Sequence, residues 1–528
     1  MPSILTTRVD ASRGPRYLRT GLLSALLILL GATTVRAQTT TNPLGLTPCQ
    51  PSGIGTDYPV GPGRAYTSLD LVPWEKLKGG DTVRIHYSSK PYAGKFLIAA
   101  QGTPTAPVRV CGVRGPNGER PVIDGSGATT RAALSTLYGN STYVRDVHQD
   151  RSLIVIKPLA TQGWTAFPRY IQIDGLKITR AHPNYSFRNA AGQVRSYADF
   201  GACIWIDRGQ NISIVDNEIS DCQMAIFSKS TDDGDFAVTK NIRVAGNHMW
   251  GHGIVGDWHE HTTYLQSVGT IVEFNRYGPL RSGSPGNAIK DRSVGTVIRY
   301  NRIEEGAHAI DLVEAEDFPL TATSLAAYRT THVYGNQIIK NGDTGSVIHY
   351  GGDHFGSEPG ANWGEPWFRR GTLYFYNNTL SITGTEAALF QISTTLETVE
   401  AFNNIFHFAS TVKERSLRMN QWGVGSAWTP GGVLILGRNW ASTGWQDSDQ
   451  WHPVPGALIG TGNLIVGATA PFDPKTFVPL SGSAVLDVGT PIPSALSRHV
   501  PAYQLDGSLR PAVRVRRGAG DDLGAVER

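Results

Sequence analysis

Short runs in which apolar and polar residues alternate recur along most of the chain, and nine of them end on an asparagine. Alternation places every second side chain on the same face, which is the pattern of a β-strand. The gaps range from 24 residues, between Asn439 and Asn463, to 42 residues, between Asn336 and Asn378. A unit of this length cannot bury its own apolar face, so the units must stack. The nine residues are Asn217, Asn247, Asn275, Asn301, Asn336, Asn378, Asn404, Asn439 and Asn463.

Each unit consists of a strand, a sharp turn and a second strand, with no helical stretch between them. This pattern predicts an all-β protein, a right-handed, single-stranded parallel β-helix (a solenoid) with loop insertions. We expect the asparagines to stack on one edge, because this residue tolerates left-handed backbone angles and its amide can bond the next asparagine. The longest gaps predict insertions at residues 314–324 and 354–370. Insertions of this kind commonly carry function.

A near-repeat fixes the register of two neighbouring units. Residues 264–275 and 290–301 share Ser-Val-Gly-Thr and both end on an asparagine. This register puts Tyr264 beside Lys290, and matching motifs continue the column into the next two units. Since stacked strands lie about 4.8 Å apart, the column spans roughly 15 Å of one outer face. Its members are Tyr264, Lys290, Asp311 and His349.

The first 37 residues have the features of a secretory signal. Arginines precede the apolar run at residues 21–31, and a small-residue cleavage site follows it. The run is too short to cross a bilayer, so we expect a secreted or periplasmic protein with no membrane span. After the signal at 1–37, the pattern predicts an N-terminal lead at 38–60, the parallel β-helix at 61–410, and C-terminal turns with a Trp-rich insertion and closing strands at 411–528.

Charge excludes one broad class of partner. Residues 1–37 hold five arginines against one aspartate, a net charge of +4, and the whole chain also has a formal net charge of +4. The remainder is therefore close to neutral. Nucleic-acid binding depends on clustered positive charge, so no nucleic-acid partner is expected.

Four cysteines remain after the signal segment: Cys49, Cys111, Cys203 and Cys222. Export would permit disulfides, and Cys203 and Cys222 lie about one unit apart. Buried free thiols are the alternative, and the sequence leaves the two open. The spacing does not match a zinc site.

Short motifs near the two ends add to the repeat. Val-Ile-Asp-Gly stands at residues 122–125 and Asp-Leu-Gly-Ala at residues 522–525. With the signal segment and the Asn-terminated turns, they give a chain that, over most of residues 60–525, resembles the secreted bacterial right-handed parallel β-helix proteins of the pectate-lyase-like superfamily. That superfamily includes lyases, hydrolases, epimerases and adhesive proteins. The resemblance therefore implies the fold and an acidic polysaccharide as partner, without fixing the reaction.

Elimination from a uronate polymer needs a group that neutralises the carboxylate, a base and an acid, all within reach of one sugar ring. Arg292 can neutralise a carboxylate with its guanidinium fork. Lys290 or His261 can supply the base, and Tyr264 the acid. The resemblance agrees in kind, since related lyases use Lys or Arg as base, although their motifs are not matched residue by residue. We therefore predict a polysaccharide lyase (a carbon-oxygen lyase) that acts by β-elimination.

Further residues are assigned to binding. Asp311 is expected to orient a basic partner, His349 to extend the groove, and His259 to contact substrate. Arg292 would favour a free amine on Lys290, whereas Asp311 would favour the ammonium ion, and the sequence does not decide between them. A salt-bridged surface ladder is the plain alternative for the whole column.

A metal site is left undetermined. His259 and His261 are spaced to share one strand face and so to hold a metal. Some lyases of the superfamily bind Ca²⁺, and Glu314, Glu316 and Asp317 offer oxygen ligands for it. An acidic loop without an ion explains the same three residues.

Three other functions are kept beside the lyase. Asp-Asp at residues 232–233, Gly-His-Gly at residues 251–253 and Ile-Lys at residues 289–290 faintly resemble the polygalacturonase family of glycoside hydrolases, in which paired carboxylates act. A non-catalytic carbohydrate-binding or adhesive β-helix is the second, and a uronate epimerase the third. In each case we expect a monomer.

Overall fold

The structure is a computed structural model, and the residues that it describes are 42–131, 150–354, 365–419, 432–448 and 456–528. The predicted signal at residues 1–37 lies outside them, as do Trp422, Trp428 and Trp451 of the Trp-rich segment. Among the described residues, no helix is both long enough and apolar enough to cross a bilayer.

The described part of the chain contains 40 strands. The first 20 are β1 (Asp57–Val60), β2 (Thr82–His86), β3 (Gly94–Ile98), β4 (Val108–Val113), β5 (Val122–Asp124), β6 (Thr129–Thr130), β7 (Ser152–Ile156), β8 (Arg169–Asp174), β9 (Lys177–Thr179), β10 (Ser186–Arg188), β11 (Val194–Ser196), β12 (Ala202–Ile206), β13 (Gln210–Val215), β14 (Glu218–Ser220), β15 (Met224–Ser228), β16 (Lys240–Ala245), β17 (His248–Trp250), β18 (Thr263–Leu265), β19 (Ile271–Glu273) and β20 (Arg276–Tyr277). The others are β21 (Ile289–Asp291), β22 (Val297–Arg299), β23 (Arg302–Glu304), β24 (Ile310–Leu312), β25 (Thr330–Tyr334), β26 (Gln337–Lys340), β27 (Ile348–Tyr350), β28 (Thr372–Tyr376), β29 (Thr379–Ile382), β30 (Glu386–Ile392), β31 (Thr398–Phe402), β32 (Ile405–Phe408), β33 (Glu414–Met419), β34 (Val433–Leu436), β35 (Asn439–Ser442), β36 (Gln446–Ser448), β37 (Leu458–Ile459), β38 (Leu464–Gly467), β39 (Tyr503–Leu505) and β40 (Pro511–Val513).

Helices are short in the same residues. One α-helix, α1, spans Pro319–Ser324. The 3₁₀ helices are Leu69–Leu71, Trp74–Lys76, Ala160–Gln162, Asp235–Ala237, Ala326–Arg329, Glu365–Trp367, Thr461–Asn463 and Ser494–His499.

Three long sheets contain 38 of these strands. Their orders are β1-β2-β4-β8-β13-β16-β19-β22-β25-β28-β31-β34-β37, β11-β10-β6-β3-β7-β12-β15-β18-β21-β24-β27-β30-β33-β36 and β38-β35-β32-β29-β26-β23-β20-β17-β14-β9-β5. Successive members of a sheet come from successive units and pair in parallel, as β18 does with β21 and β21 with β24. Within the described strands, the exceptions are the antiparallel pairs β10–β11 and β39–β40. This is a parallel β-helix, and the predicted fold class is confirmed.

Aliphatic side chains stack along the inside of the sheets. Ile212 and Ile214 of β13 are fully buried, and they lie in register with equivalent residues of β8 and β16. Burying one such side chain contributes about 1.5–3 kcal/mol, so the stack is held together turn by turn. The residues in register with Ile212 and Ile214 are Ile171, Ile173, Ile242 and Val244.

The predicted asparagine ladder is present. The backbone N–H and the side-chain Nδ2 of Asn217 both donate to Oδ1 of Asn247, at 3.0 and 3.1 Å. The same two bonds recur from each asparagine to the next along Asn217, Asn247, Asn275, Asn301, Asn336, Asn378, Asn404 and Asn439. Asn463 does not join the ladder; it is exposed, and its amide donates to the Leu436 carbonyl oxygen at 2.9 Å.

The ladder asparagines do not themselves adopt the left-handed backbone angles that were predicted for them. In most units the left-handed residue is the one before the ladder asparagine, as at Phe274 and Tyr300, each with φ of 58°. The asparagine itself is selected for its amide, which satisfies buried backbone groups on the adjacent turn.

Both predicted insertions overhang the second sheet. Residues 313–329, between β24 and β25, include α1 and pack Phe318 and Tyr328 onto Val294. Residues 351–371, between β27 and β28, are described except for 355–364. Both insertions therefore reach the face on which the column lies.

The stack starts at Asp57 and continues to Gly467. After it, the chain returns along the outside of the sheets, where Leu496 and Leu505 pack with Tyr300. The only strands described in this return segment are β39 and β40, which pair with each other rather than close the stack.

Both cysteine pairs form disulfides, which answers the question that the sequence left open. Cys49 pairs with Cys111, and Cys203 pairs with Cys222, each with a Cα–Cα distance of 5.7 Å. The second disulfide links β12 to the turn before β15. Disulfides are typical of exported proteins.

Candidate active site

The register of the predicted column is correct. Tyr264 lies directly beside Lys290, Lys290 beside Asp311, and Asp311 beside His349. These side chains are on the outer side of the sheet, yet none of the four residues as a whole is more than 7% exposed. The two insertions cover them, so the column is a buried site and not an open surface ladder.

Toward the N-terminus the column continues as aromatic residues. Phe227 pairs with Tyr264, and Trp205 pairs with Phe227. The rings of Trp205 and Phe227 are 4.1 Å apart, and Phe200 packs edge-on against Phe227 at 5.3 Å. We call Phe200, Trp205 and Phe227 the aromatic segment.

Toward the C-terminus the column is charged. Lys290 Nζ donates to Asp311 Oδ2 at 2.9 Å and to Asp353 Oδ2 at 2.5 Å. Nη2 of Arg292 reaches Oδ1 of the same Asp353 at 3.1 Å. One carboxylate, from the insertion after β27, thus bridges both cations. We call Lys290, Arg292, Asp311 and Asp353 the charged segment.

Arg292 also connects the charged segment to Tyr264. Its Nε donates to the Tyr264 hydroxyl oxygen at 2.9 Å, and the hydroxyl donates to Glu316 Oε1 at 3.2 Å. Glu316 Oε2 lies 2.9 Å from Arg292 Nη2. Glu314, fully buried, is 3.3 Å from Nη1. The guanidinium is therefore surrounded by carboxylates from both insertions.

Three hydrogen-bond donors contact the Asp311 carboxylate. Besides Lys290, Asn287 Nδ2 donates to its Oδ2 at 2.8 Å, and His349 Nδ1 donates to its Oδ1 at 2.8 Å. The other ring nitrogen of His349 lies 3.2 Å from Ser393 Oγ. His349 is 2% exposed, and so it positions Asp311 and does not extend a groove as predicted.

The protonation of Lys290, which the sequence did not decide, follows from these contacts. Burial alone would lower the pKa of Lys290, but the Asp311 and Asp353 carboxylates outweigh it and raise the pKa above its ordinary value. Burial would likewise raise the pKa of Asp353, but Arg292 and Lys290 hold it well below the usual range. The resting site therefore contains an ammonium ion, a guanidinium ion and carboxylates.

His261 lies beside Tyr264, with ring centroids 5.7 Å apart. Burial, followed by the Lys290 charge, holds the pKa of His261 well below its usual value, so the ring is neutral. Its Nδ1 accepts the backbone N–H of Asn287 at 2.9 Å. The ring proton is therefore on Nε2, which makes His261 a hydrogen-bond donor toward the site and not a free base.

The described residues contain two groups of side chains with metal-ligating atoms: Glu314, Asp353 and His354, and His308, Asp311 and His349. Burial lowers the pKa of His354, but Asp353 and Glu314 raise it to about 10, so that imidazole is a cation. In the second group, Asp311 is engaged by Lys290. Ca²⁺ takes six to eight oxygen ligands, and neither group fits it.

Several predicted residues lie elsewhere. His259 is exposed and bonds to Asp257, at 2.7 Å, whereas His261 is buried, so the two imidazoles do not form a pair. Asp317 accepts a hydrogen bond from Gln266, at 2.8 Å.

The polygalacturonase-like motif does not assemble either. Asp232 caps the start of α1 by accepting the N–H groups of Leu320 and Thr321, at 2.8 and 2.9 Å. His252 is fully buried and contacts the carbonyl oxygens of Ile219 and Cys222. Neither residue contacts Lys290.

Two residues of the site were missed from the sequence: Asp353 and Asn287. Asp353 follows His349 by four residues, and its Gly-Gly-Asp context marks a turn at the start of an insertion. Asn287 precedes β21 by two residues. The signal available in the sequence was that each is a polar residue close to a strand of the column.

No family model matches the sequence, and no curated protein matches it. Among solved structures, the chain is similar to pectate lyase Pel9A, with 12% identity over 90% of this chain and 98% of that one, and a TM-score of 0.42. It is similar to XylC in complex with xylose, with 11% identity over 89% and 94% and a TM-score of 0.42. It is also similar to a PL6 family polysaccharide lyase from Pseudopedobacter saltans, with 12% identity over 79% of this chain and 94% of that one, and a TM-score of 0.37.

The three sheets define the class: the chain is a parallel β-helix protein, which is the fold that the sequence predicted.

Proposed function

We propose that this protein is a carbohydrate-active enzyme, a lyase that cleaves a uronate-containing polysaccharide by β-elimination. One observation carries the proposal. Lys290 and Arg292, two cations on the same face, adjoin the Tyr264 hydroxyl, which lies 2.9 Å from Arg292 Nε. A carboxylate receptor next to a proton donor is what elimination from a uronate requires.

Arg292 is assigned to the uronate carboxylate. Its planar fork matches a carboxylate in two contacts, and this stabilises the charge that develops when the C5 proton leaves. Tyr264 is assigned as the acid. Burial raises the pKa of Tyr264 well above its ordinary value, so the hydroxyl keeps its proton at neutral pH and can give it to the leaving C4 oxygen.

Lys290 is the better candidate for the base. His261 is neutral, but its accepting nitrogen is used by the Asn287 amide. Lys290 is protonated at rest and must first lose a proton, which becomes easier when a carboxylate partner leaves it. Asp311 and His349 then act as positioning residues beneath the amine, through the contacts that hold Asp311 Oδ1 and Oδ2.

The substrate proposed is an acidic polysaccharide outside the cytoplasm. The two disulfides fit an exported protein. Calcium has no part in the proposed chemistry, because Arg292 supplies the positive charge and the carboxylates near it are already paired.

Hydrolysis is the second candidate, and one observation favours it. Asp353 and Glu316 both contact Arg292 Nη2, at 3.1 and 2.9 Å. Their carboxylates therefore lie within about 6 Å of each other, near the separation at which two carboxylates hydrolyse glycosides. A binding module or an epimerase would leave the polymer uncut.

One assay separates these functions. The secreted protein is incubated with a panel of acidic and neutral polysaccharides, and unsaturated-uronate absorbance and reducing ends are followed together. Both signals are expected from an acidic polymer. Reducing ends without absorbance would replace the lyase by a hydrolase, and neither signal would exclude both. A Lys290→Arg variant serves as the inactive control.

A further inference from the structure

The charged residues of the site differ in their exposure to solvent. The side chains of Lys290 and Arg292 are 9% and 3% exposed, and that of Glu314 is fully buried. Asp353 is 26% exposed, and Glu316 and His354 are similar. These three more exposed residues form the rim of the site.

Asp353 occupies the place that a sugar carboxylate would need. Its Oδ2 is 2.5 Å from Lys290 Nζ, and its two oxygens are 3.1 and 3.3 Å from Arg292 Nη2. Among the residues that the structure describes, it is the one carboxylate that contacts both cations. Asp311 pairs with Lys290 alone, and Glu316 with Arg292 alone.

We propose that Asp353 is an internal competitor, whose carboxylate holds Lys290 and Arg292 in the resting protein and is exchanged for the carboxylate of an acidic sugar. This rests on the proposed function, since it takes the same two cations as the receptor. It adds that the receptor is closed by the chain itself until an acidic ligand arrives.

The contacts of the surrounding backbone limit what must move. Gly351 N–H donates to the Leu312 carbonyl oxygen at 2.9 Å, and Gly352 N–H to Ser393 Oγ at 2.9 Å. Asp353 N–H donates to Glu314 Oε2 at 3.0 Å. These contacts anchor the main chain, so the exchange needs only a rotation of the Asp353 side chain, whose Oδ1 also lies 3.0 Å from His354 Nδ1 at the rim.

Exchange also avoids the main penalty of opening a buried ion pair. Removing one partner of such a pair is strongly destabilising, because it leaves an uncompensated buried charge. When a sugar carboxylate replaces Asp353, Arg292 is paired with the sugar and Lys290 keeps Asp311 as its one carboxylate partner from the chain, while Asp353 moves into solvent. The exchange favours carboxylate ligands over neutral sugars, which cannot compensate Lys290 and Arg292.

The test is a binding measurement that does not depend on turnover. Sodium D-galacturonate and sodium D-glucuronate are titrated into the parent protein and Asp353→Asn, with D-galactose and D-glucose as neutral sugars. A competitor that fills its site in 90–99% of molecules weakens binding about 10- to 100-fold. Asp353→Asn is therefore expected to bind an acidic sugar at least about tenfold more tightly, with no gain for the neutral sugars.

Glu316→Gln is the matched control. It removes the same charge from the same guanidinium but does not free Lys290, so a gain of less than about threefold is expected from electrostatics alone. Asp353→Ser is a second variant, used in case Asp353→Asn does not fold. It is expected to show the same gain in affinity for acidic sugars as Asp353→Asn. Melting curves confirm that each variant is folded.

Equal gains in Asp353→Asn and Glu316→Gln would overturn the proposal, as would no gain in either variant at Asp353. The proposed function fails differently. If the Asp353 variants bind uronates tightly but neither they nor the parent cut any acidic polymer, the internal competitor stands and the lyase does not.

Discussion

The strand residues of the aromatic segment, Trp205 and Phe227, and those of the charged segment, Lys290 and Asp311, lie on the same face of one sheet and in the same register. The two segments nevertheless have opposite effects on stability. In the aromatic segment, burial of Trp205 and Phe227 is favourable by itself, by about 1.5–3 kcal/mol for a side chain of this kind. In the charged segment, burial of Lys290 and Arg292 is costly and is offset only by their carboxylate partners.

The β-helix does not need buried ion pairs at this position in order to fold. Well-packed apolar residues in place of a buried ion-pair network are often neutral or stabilising, and the aromatic segment shows that this position of the sheet accepts them. The charged segment therefore points to function, whereas the aromatic segment is explained by packing.

Replacing Lys290 tests the difference most strongly. Lys290→Arg keeps a cation for Asp311 and Asp353 but cannot release a proton at neutral pH, so turnover is expected to fall by about 10²- to 10⁴-fold. The initial rate on a cleaved acidic polysaccharide measures it. Phe227→Leu, one strand beyond Tyr264 in the aromatic segment, is the control and should keep the parent rate. A parent-like rate in Lys290→Arg would remove the amine from the chemistry.

Trp205→Ala makes the reverse test. Loss of this buried ring is expected to cost about 3–5 kcal/mol of unfolding free energy, measured by denaturant titration. The rate per folded molecule should not change, because Trp205 lies three strands from Lys290. A rate that fell with the ring while the protein stayed folded would show that the two segments are not separate.

Tyr264 lies where the segments meet, and Tyr264→Phe removes only its hydroxyl. The ring still packs on Phe227, so the melting temperature should move by only a few degrees. Turnover should fall by about 10²-fold, the scale of losing a general acid. The turnover rate and the melting temperature of this variant, each compared with the parent, show whether Tyr264 acts with the charged segment or only packs with the aromatic segment. An unchanged rate would extend the aromatic segment to include Tyr264.

A pH effect is expected next to the aromatic segment. Glu260 Oε1 accepts the backbone N–H of Phe200 at 3.2 Å. Burial, with Asp257, raises the pKa of Glu260 to about 7. The protonated form is thus favoured in the folded protein, and its contribution to stability, complete below pH about 4.5, is lost as pH rises through 7.

Melting temperature measured between pH 5 and 8 checks this. Relative to Glu260→Gln, the parent should lose on the order of 1 kcal/mol across that range. Buried histidines such as His252, with a pKa lowered to about 4, act in the opposite direction below pH 6.5, so the comparison with the variant is needed. Parallel curves for the two proteins would contradict the assignment.

The smallest effect is expected from a chelator. Because Arg292 supplies the positive charge, excess EDTA should change turnover by less than about twofold. Turnover in treated and untreated protein, with added Ca²⁺ as the matched condition, measures it. A loss that Ca²⁺ restores would assign the acidic rim to a metal and weaken the division into two segments.

The features that could be predicted from the sequence are those that the repeat determines. Two copies of Ser-Val-Gly-Thr fix the register of Tyr264 and Lys290, because a one-residue slip would turn the apolar faces outward. The ladder from Asn217 to Asn439 was predicted for the same reason. Asn463 failed because its turn lies at the end of the stack, where its amide finds the Leu436 carbonyl instead.

The insertions, in contrast, have no repeat, and so the register says nothing of where their side chains lie. Asp353 reaches a lysine 63 positions away in the sequence, and no local pattern encodes that contact. The burial of Lys290 was missed for this reason, and with it Asp353, the second carboxylate that keeps Lys290 protonated.

The histidine pair failed through a wrong assumption about local structure. Spacing by two places side chains on one face only within a strand. β18 begins at Thr263, after both His259 and His261. Outside the strand the backbone turns, so one imidazole faces solvent and the other is buried.

The asparagine ladder also bears on how such a chain can change in length. Every rung makes the same two bonds to the next one, and none depends on which turn it belongs to. A whole turn can therefore be duplicated or deleted without creating a new kind of junction, provided that its asparagine is retained. The turns beyond the charged segment can then vary in number while the turn that holds Lys290 stays intact. In evolutionary terms, the reach of the protein along a polymer is free to drift independently of its chemistry.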